Sequence, residues 1–542
     1  MSPRGIFLAS SALALGGVAG LFTVAPVAAT VVAVLVVPVV LLGLYDMVQT
    51  RHTIRRNFPV IGHGRYLLEM IRPEINQYFI ESDTDGTPYP RERRSLVYQR
   101  AKGVRDTVPF GTQQDVYAAG YEWMNHSMLA RAVHDANPRV IIGSAACRQP
   151  YEASVFNVGA MSYGALSGAA VRSLSRGAAD AGFALNTGEG GISEHHRQGS
   201  DLIWQIGTGY FGARTPEGDF DPERFAETAS DPAVKMIEEN ISQGAKPGHG
   251  GILPASKLTA KIAAVRGVPM GKDVISPPGH TAFRTPLELV LFMDRLRELS
   301  GGKPVGIKLC VGKHRELFCI LKAMLVTGAV LDFITVDGAE GGTGAAPLEL
   351  TNSVGTPLVE GLVFVHNALV GTGLRDQVKL LASGRVTTGF DLARLLAIGA
   401  DGAYAARAML FAIGCIQARR CNSNDCPTGV ATQDPALERG LVVSDKATRV
   451  AQYHRATVKA FAELVGAAGL EGHEALRPWH IHRRVGPTKV QRYDEIYEYV
   501  EPGAFLGDEV PERYARAWHA ARAEGFERDA VHHPTPMVVL AS

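Results

Sequence analysis

A run of 40 residues near the N-terminus, Ile6–Tyr45, contains no charged side chain. One crossing of a membrane needs about 20 apolar residues, so this run is long enough for two helices. Ala25-Pro26 lies near its middle and provides a turn, which divides the run into helices of about 6–24 and 27–44. The sequence therefore predicts a transmembrane helical hairpin in residues 1–50, and a single bent helix is the alternative.

A cleaved signal peptide does not explain this run, because its apolar segment is about 7–15 residues long and a polar chain follows it. Arginines flank the run, with Arg4 before it and Arg51, Arg55 and Arg56 after it. Positive charge favours the cytoplasmic side, and a hairpin places both of its ends there. We therefore expect the protein in the cell (inner) membrane, with the rest of the chain on the cytoplasmic side.

The composition of the chain, which has 542 residues, excludes several classes of protein. Lys and Arg total 55 and Asp and Glu total 54, so a net charge of +1 gives no excess for phosphates, and no nucleic-acid partner is expected. Six cysteines are too few for a disulfide scaffold. The 59 glycines exceed the usual share and indicate tight turns or backbone that approaches a ligand closely.

Residues 51–150 are polar and basic, and they form an N-terminal subdomain or linker. The basic character comes from arginines such as Arg91, Arg93 and Arg94, and Pro88 marks a loop. Two interpretations stay open for these charges. They form either a collar on the membrane surface, which anionic lipid would favour, or an ordinary solvated face.

From about residue 151, short β-branched segments alternate with amphipathic segments of helical period. The predicted strands are Val155–Val158, Pro304–Leu309, Phe333–Asp337, Val378–Ala382 and Gly402–Ala406, and the predicted helices are Leu166–Ala181, Glu316–Val326, Leu358–Leu369 and Phe390–Ile398. This alternation is typical of parallel βα units. The expected fold class is α/β, with a (β/α)8 TIM-type barrel over residues 151–465 and a C-terminal extension over 466–542. A doubly wound sheet is the alternative, although the first βα turn lacks Gly-x-Gly-x-x-Gly.

Two glycine turns of this region are candidates for a phosphate site. They are Ser383-Gly384-Arg385 and Gly399–Ala403. Small residues let backbone N–H groups reach a phosphate, and Arg385 or Arg407 would add a charged fork. The same glycines also suit ordinary barrel turns that need a positive φ, so both interpretations stay open.

Cys415, Cys421 and Cys426 place half of the cysteines within 12 residues, in the pattern C-x5-C-x4-C. Thiolates bind soft metals, and iron–sulfur clusters are held by closely spaced cysteines in a loop. Structural zinc needs four ligands, and the loop contains no histidine; zinc and a chance group of buried thiols are the alternatives. Three cysteines fit a three-iron cluster. The other cysteines are predicted to be core residues: Cys147, Cys310 and Cys319.

Four segments of the barrel region carry further motifs. They are Gly-Ala-Met-Ser-Tyr-Gly-Ala-Leu-Ser at 159–167, Asn-Thr-Gly-Glu-Gly-Gly at 186–191, Gln-Gly-Ala-Lys-Pro-Gly at 243–248 and Asp-Gly-Ala-Glu-Gly-Gly-Thr-Gly-Ala at 337–345. With Cys-Pro-Thr-Gly-Val-Ala-Thr-Gln at 426–433, these motifs resemble the synthase domain of the glutamate synthase family over about 310 residues. The short, membrane-linked forms without a glutaminase domain are the most similar. The resemblance implies an FMN-containing (β/α)8 barrel with a 3Fe–4S cluster.

The resemblance also implies roles for matching positions. The flavin would be contacted by Met161, Ser162, Gly188, Gly190, Gln243 and Gly342, and its phosphate end by Gly384, Arg385, Gly402 and Arg407. Lys308 would lie near the N1–C2 carbonyl edge, where a cation stabilises anionic reduced flavin; a barrel-end lysine paired with a carboxylate is the alternative. Lys246 would pair with a substrate carboxylate. The candidate catalytic residues are Lys308, His249 and Lys246, and the cluster ligands are Cys415, Cys421 and Cys426.

Two departures from the family pattern concern the substrates. The family's Lys-Pro-Gly-Glu-Gly-Gly-Gln-Leu-Pro stands here as Lys-Pro-Gly-His-Gly-Gly-Ile-Leu-Pro at 246–254, so His249 replaces an acid and Ile252 an amide. A histidine changes charge near neutral pH, which puts the substrate or the handling of ammonia in question. Residue 2 is Ser, and the segment before the barrel is too short for a glutaminase domain with its N-terminal cysteine. Free ammonia or a separate glutaminase subunit is therefore expected.

These features predict an oxidoreductase of the class acting on CH–NH2 donors, which makes L-glutamate from 2-oxoglutarate and ammonia. No NAD(P)H-binding domain is evident, so ferredoxin or another electron-donor protein would reduce the cluster, which would pass electrons to FMN. Two other functions stay open. One is a membrane-tethered FMN and Fe–S oxidoreductase for another amino or oxo acid or an amine such as methylamine; the other is a non-catalytic electron-transfer subunit.

Two pairs of histidines admit a functional and a structural interpretation. His480 and His482 resemble metal ligands, but their alternation favours a strand with one polar face. His195 and His196 follow the second motif and would either assist the substrate or lie in a surface loop, which is the favoured interpretation.

Overall fold

The computed structural model describes residues 2–104, 106–132 and 137–527, so residues 528–542 of the predicted C-terminal extension lie outside the described residues. The chain forms two compact units, Met1–Arg91 and Glu92–Ser542. The helices of the first unit are α1 (Pro3–Val24), α2 (Pro26–Val48), α3 (Thr53–Asn57) and α4 (Gly62–Ile75), followed by a π-helical turn at Asn76–Ile80.

Helices α1 and α2 form the hairpin predicted from the uncharged run, and each of them is a few residues longer than its predicted range. Pro3 and Pro26 stand at the helix starts, where a missing N–H costs little, and the Ser2 hydroxyl accepts a hydrogen bond from the Gly5 N–H at 3.2 Å. Gly43 lets the helices pack closely, because a Cβ there would overlap the Phe7 ring. Both helices have the length and apolar composition to cross a membrane.

The base of the hairpin is held by the buried carboxylate of Asp46. It accepts hydrogen bonds from the Val60 N–H at 2.9 Å and from His63 Nε2 at 2.8 Å, which tie the start of α4 to the end of α2. Arg4 Nη2 donates to the carbonyl of Met47 at 3.0 Å. The uncharged run therefore ends in a defined polar network at both of its ends.

The second unit is built around a parallel barrel. Its strands are β1 (Glu122–Met124), β2 (Arg139–Ile142), β3 (Tyr151–Ser154), β4 (Phe156–Val158), β5 (Leu185–Asn186), β6 (Leu202–Ile206), β7 (Val234–Asn240), β8 (Ile252–Leu253), β9 (Val274–Ile275), β10 (Val305–Leu309), β11 (Phe333–Asp337), β12 (Lys379–Ser383), β13 (Gly402–Ala405), β14 (Ile481–Arg484) and β15 (Val490–Arg492). Strands β4 to β7 and β10 to β13 pair in parallel and close into an eight-stranded barrel. The predicted fold class is confirmed.

Helices cover the outside of the barrel. They are α5 (Arg91–Ala101), α6 (Gly168–Ala181), α7 (Pro222–Ala229), α8 (Ala260–Arg266), α9 (Pro286–Leu299), α10 (His314–Thr327), α11 (Leu348–Ser353), α12 (Leu358–Gly371), α13 (Gly389–Ala397), α14 (Arg407–Ala412), α15 (Pro435–Glu438), α16 (Val443–Ala467), α17 (Tyr493–Ile496) and α18 (Glu512–His519). Hydroxyl side chains cap several starts; Thr285 and Glu288 form a capping box on α9. One βα repeat departs from the (β/α)8 pattern. Residues 187–201, all of which are described, join β5 to β6 without a helix.

The amino end of the barrel is closed by an antiparallel hairpin of β2 and β3. Its inward side chains pack with residues from the barrel strands in one buried apolar cluster: Val140, Ile142, Tyr151, Ala153, Ala184, Ile203, Met236, Phe333, Leu381 and Tyr404. Burial of these side chains stabilises the closed amino end of the barrel. The site is therefore expected in the loops at the open, carboxyl end.

The C-terminal extension packs on the barrel. Phe505, Tyr514 and Trp518 surround Phe318 of α10, with ring centroids 5.4, 6.5 and 5.4 Å away. Strand β14 pairs with β1 and β15, and His482 stacks on the Trp123 ring at 5.6 Å. The strand favoured for the His480–His482 segment is therefore observed at Ile481–Arg484, one residue after a 3-10 turn that contains His480.

Candidate functional site

The glycine loops after β4 and β5 meet at the carboxyl end of the barrel. Gly188 has a φ of +66°, and a Cβ there would lie 2.8 Å from the Ser162 nitrogen. A Cβ on Gly190 would lie 3.1 Å from the Ser162 Cβ. Side chains at these positions would separate the loops, so glycine permits the packing. The structure thus brings together four predicted flavin positions: Met161, Ser162, Gly188 and Gly190.

The side chain of His196 holds these two loops together through hydrogen bonds. Its Nε2 lies 2.8 Å from the Met161 carbonyl oxygen, and its Nδ1 lies 2.9 Å from the Ser193 hydroxyl. Burial lowers the pKa of His196 to about 4, so its ring is neutral near pH 7 and Nε2–H donates to the carbonyl. His195 is also buried, and its ring packs edge-on against Tyr163. The surface loop favoured for this pair is wrong, because both rings find polar or aromatic partners inside the protein.

Glu189 stands between the two glycines and is the acidic centre of the site. Its Oε1 accepts a hydrogen bond from Gln243 Nε2 at 2.9 Å, and its Oε2 accepts one from Asn240 Nδ2 at 3.3 Å. Gln243, a predicted flavin contact, is thereby placed beside the glycine loops. The buried cations that interact electrostatically with Glu189 are Lys246, Arg266 and Lys308.

Lys308 lies near the end of β10, and its Nζ is 3.6 Å from Oδ2 of Asp337, the last residue of β11. The same carboxylate oxygen accepts a hydrogen bond from the Gly244 N–H at 2.9 Å. Burial would lower the pKa of Lys308, but the carboxylates of Asp337, Glu238 and Glu189 raise it above its ordinary value. Lys308 is therefore positively charged near neutral pH and lies at the carboxyl end of the barrel. It is paired with a carboxylate, as in the alternative interpretation of a barrel-end lysine.

Lys246 and Arg266 add two buried cations to the site. Lys246 Nζ donates to the Gly250 carbonyl at 2.9 Å, and burial lowers its pKa. The Arg266 guanidinium lies 5.0 Å from the centre of the Phe211 ring, and burial lowers its pKa to about 10. Within the described ranges, Arg266 Nε is buried without a hydrogen-bond partner. Two buried cations with unused donor capacity suit a ligand that carries carboxylates.

His249 shares an acceptor with Lys246. Its Nδ1 lies 2.9 Å from the Gly250 carbonyl oxygen, the same atom that accepts from the lysine. The structure therefore brings these two predicted catalytic residues together. Ile252 follows in β8 and is half-buried.

The predicted phosphate residues divide into two groups. Gly384 and Arg385 directly follow β12, Arg407 opens α14 after β13, and Gly342 packs against the Arg407 guanidinium, where a Cβ would lie 3.0 Å from Cζ. Arg385 has a φ of +45° and is exposed. These four residues lie at the carboxyl ends of neighbouring strands, where a phosphate site is expected.

Gly402 does not lie with that group. It is the first residue of β13 and pairs with Leu381, so the Gly399–Ala403 turn connects α13 to the amino end of the strand. The prediction that Gly402 belongs to the phosphate end is therefore wrong. The turn begins before the predicted strand Gly402–Ala406, so the order of the chain already places it at the amino end, and only its glycines suggested a phosphate site.

The cysteine loop follows α14, and its backbone is strained. Gln417, Arg419 and Asn424 have φ values of +59°, +55° and +65°, which side chains other than glycine adopt rarely. Such strain is typical of functional segments that the surrounding structure holds in place. Cys421 also lines a narrow cavity with Ser162, Glu189, Lys246 and Arg266, so the loop adjoins the site at the barrel end.

The three thiols lie close enough to affect one another. Burial and the neighbouring thiols raise the pKa of Cys415 to about 12 and also raise that of Cys421. Burial would raise the pKa of Cys426, but hydrogen bonds from the Thr428 hydroxyl and from nearby N–H groups lower it. In the part of the chain that the structure describes, no three His, Cys, Asp or Glu side chains have a metal-holding arrangement.

A buried lysine, Lys257, lies against this loop and donates to the Cys421 carbonyl at 2.7 Å. Three closely spaced thiols beside a buried cation have the chemistry of a site for an anionic, thiolate-bound cluster. The glycine loops and the free Arg266 Nε likewise fit a flavin and an anionic substrate.

Several site residues were not predicted from the sequence. Glu189 and Asp337 lie inside quoted motifs, and their position at strand ends was a signal that could have identified them. Arg266 and Lys257 lie in the segment after β7, where spacing in the sequence carries no sign that their side chains return to the site.

The family model and the relatives that this chain matches all belong to the glutamate synthase family. Residues 120–471 match the family model described as "Conserved region in glutamate synthase". The "Glutamate synthase large subunit-like protein YerD" of Bacillus subtilis is 36% identical over 517 residues, which cover 87% of this chain and 98% of that protein. The archaeal glutamate synthase (NADPH) of Archaeoglobus fulgidus is 35% identical over 321 residues, and the match covers 59% of each chain.

Proposed function

Because the chain belongs to the glutamate synthase family, an oxidoreductase family, we propose that it makes L-glutamate by reductive amination of 2-oxoglutarate with ammonia. The observation that carries this proposal is the meeting of three buried cations, Lys246, Arg266 and Lys308, around Glu189 at the carboxyl end of the barrel. Relatives named glutamate synthases favour an enzyme over a non-catalytic electron-transfer subunit.

FMN, when bound, supplies the hydride for this reduction. The loops that contain Met161, Ser162, Gly188 and Gly190 would hold its ring beside Gln243, and Gly342, Gly384, Arg385 and Arg407 would hold its phosphate end. Lys308, kept protonated by Asp337, would stabilise negative charge on the reduced ring. Its carboxylate partner is itself fixed by the Gly244 N–H, so the ammonium has a defined position.

The substrate would bind through Lys246 and Arg266, one for each carboxylate of 2-oxoglutarate. A carboxylate forms strong, paired hydrogen bonds with a guanidinium, and Arg266 Nε is a donor without a partner among the described residues. Glu189 accepts from two amides and would orient ammonia beside the oxo carbon. Closure of this narrow cavity would exclude water from the reacting carbon.

The electron input, the ammonia source and the membrane are part of the same proposal. Cys415, Cys421 and Cys426 would hold a 3Fe–4S cluster that receives electrons from ferredoxin or another donor protein. Ammonia would arrive free or from a separate glutaminase subunit. Helices α1 and α2 would anchor the chain in the inner membrane, with the barrel on the cytoplasmic side.

A steady-state assay tests the substrate assignment. Detergent-purified protein with reduced methyl viologen, 2-oxoglutarate and ammonia should form L-glutamate. R266Q should raise the KM for 2-oxoglutarate about 10-fold or more, since a buried, charge-assisted contact is lost. R214Q is the matched control, because Arg214 also lies over the Phe211 ring, at 5.5 Å. Equal KM values in the two variants would overturn the role of Arg266.

A second candidate substrate is an amine such as methylamine, favoured by His249 beside Lys246 and by Ile252. An apolar side chain in place of an amide removes a polar contact and offers an apolar surface to a methyl group. The ratio of kcat/KM for ammonia to that for methylamine separates the two. A preference for ammonia supports glutamate synthesis, and a preference for methylamine that H249E reverses supports the second candidate.

A further inference from the structure

Lys257 is a buried lysine that the proposed reaction does not use. It ends a short 3-10 helix, Ala255–Lys257, in the segment after β7, and it is 2% exposed. Its ammonium donates to three backbone carbonyls: Cys421 at 2.7 Å, Ala431 at 2.9 Å and Ala165 at 3.1 Å. One side chain therefore joins three segments that are far apart in the sequence.

The contacts of Lys257 use all three of its donors, but they do not neutralise its charge. Within the described ranges, no carboxylate lies at ion-pair distance. Burial lowers the pKa of the ammonium, and the thiols of Cys421 and Cys426 act against that effect only as thiolates. A buried charge without a counter-ion is costly, and folds retain one where an opposite charge is bound. The buried ammonium of Lys257 therefore favours binding of a negatively charged group at the cysteine loop.

We propose that Lys257 is the positioning residue of the cysteine loop and the counter-charge for the cluster that Cys415, Cys421 and Cys426 would hold. This role rests on the proposed function, because it presumes that cluster. The contact to Ala165 reaches the loop that also contains Met161 and Ser162. Lys257 thus fixes the thiols relative to the segment that would contact the flavin.

The charge of Lys257 has a second consequence for a bound cluster. Reduction adds an electron to a group that is already anionic, and a buried cation nearby stabilises the reduced form more than the oxidised form. Loss of the ammonium should therefore lower the reduction potential of the cluster. Loss of the three hydrogen bonds should in addition loosen the strained loop and weaken its hold on iron.

The test compares K257M with K261M in the full chain, purified anaerobically in detergent. Lys261 is the matched control, because it lies four residues away, is 74% exposed and pairs with Glu194 at 3.3 Å. Iron and FMN per chain, the far-UV circular dichroism melt and the cluster midpoint potential from an EPR-monitored titration are measured. K257M should keep FMN and its melt but lose iron, or keep iron at a lower potential; K261M should match the wild type.

Charge and hydrogen bonding are separated by two further variants. K257R keeps the charge and should restore iron and potential toward wild-type values, whereas K257Q keeps a donor without charge and should not restore the potential. If K257M fails to fold, the comparison of K257Q with K257R decides. Iron and potential equal to wild type in K257M or K257Q would overturn the role of Lys257. Wild-type protein that binds no iron would instead overturn the cluster itself.

Discussion

Lys308 is the residue on which the chemistry of the site depends most directly. Its charge is maintained by Asp337, Glu238 and Glu189 in spite of its burial. K308M would remove the salt bridge to the Asp337 carboxylate and the cation that is proposed to lie at the flavin edge. We expect kcat for L-glutamate formation to fall by about 10²–10³, the usual cost of losing one donor that stabilises developing charge.

The measurement is steady-state turnover with FMN content recorded for each preparation. K379M is the control, because Lys379 begins β12 at the opposite, amino end of the barrel and should leave kcat unchanged. Wild-type turnover in K308M with FMN bound would show that this cation does not act on the reaction.

Buried neutral histidines make stability depend on pH. Burial lowers the pKa of His454 to about 3 from an ordinary 6.5, while Nε2 donates to the Phe156 carbonyl at 2.9 Å. The unfolded chain therefore binds the proton more readily, so this contribution to stability is complete above about pH 6.5 and is lost as the pH falls toward 3. The free energy of unfolding should decrease by up to ~1.4 kcal/mol per pH unit for this residue.

Urea denaturation at several pH values between about 4 and 7 measures that slope. H454Q should be less stable at pH 7, since a packed ring is lost, but its slope with pH should be smaller than that of the wild type. An unchanged slope in H454Q would contradict the neutral, buried state of His454.

Single residues show where sequence reasoning ended. Lys308, Gln243 and Lys246 were placed by motifs, and the structure brings them to one end of the barrel. Arg266 and Lys257 were missed, since a basic residue in a helical segment looks solvated until the chain folds back. Their burial is a property of tertiary packing, which local sequence does not encode.

Glycines with a positive φ have different functions in this fold: Gly188 lies in the loop after β5, which shapes the site, whereas Gly328 caps the C-terminal end of α10. Gly188 and Gly328 both have positive φ values, +66° and +71°, but a Cβ on Gly328 meets open space. G188A and G328A should therefore share a conformational cost of about 1–2 kcal/mol. G188A should in addition displace Ser162 and lose FMN.

FMN per chain in the two purified variants is the measurement. G328A should keep the wild-type content, whereas G188A should lose most of it. Equal FMN contents would mean that the close approach of the two loops does not shape the flavin site.

At the level of helices and strands, periodicity predicted most of the barrel. Phe333–Asp337 is β11 without change, and α10 and α12 extend only slightly beyond their predicted ranges. The Gly399–Ala403 turn was assigned to the wrong end of its strand, and the missing helix between β5 and β6 was not foreseen. The order of the chain already places that turn before its strand, whereas the conformation of the connection from β5 to β6 depends on its packing against the rest of the barrel.

The whole molecule combines an apolar hairpin with a polar barrel unit. If α1 and α2 both cross the membrane, Ala25 lies on the outer side and Ser2 lies on the cytoplasmic side. In intact spheroplasts, A25C should react with a membrane-impermeant maleimide and S2C should not, above the background of the native cysteines. Labelling of both residues, or of neither, would exclude a hairpin that spans the membrane.

The barrel is proposed to convert 2-oxoglutarate and ammonia to L-glutamate with electrons from bound FMN. A single-turnover experiment on the full chain tests this proposal most directly: the protein is reduced anaerobically, excess reductant is removed, and flavin absorbance is followed. We expect reoxidation only when 2-oxoglutarate and ammonia are added together, with one L-glutamate formed for each flavin reoxidised. Flavin that stays reduced with both substrates present, or that is reoxidised without forming L-glutamate, would contradict the proposal.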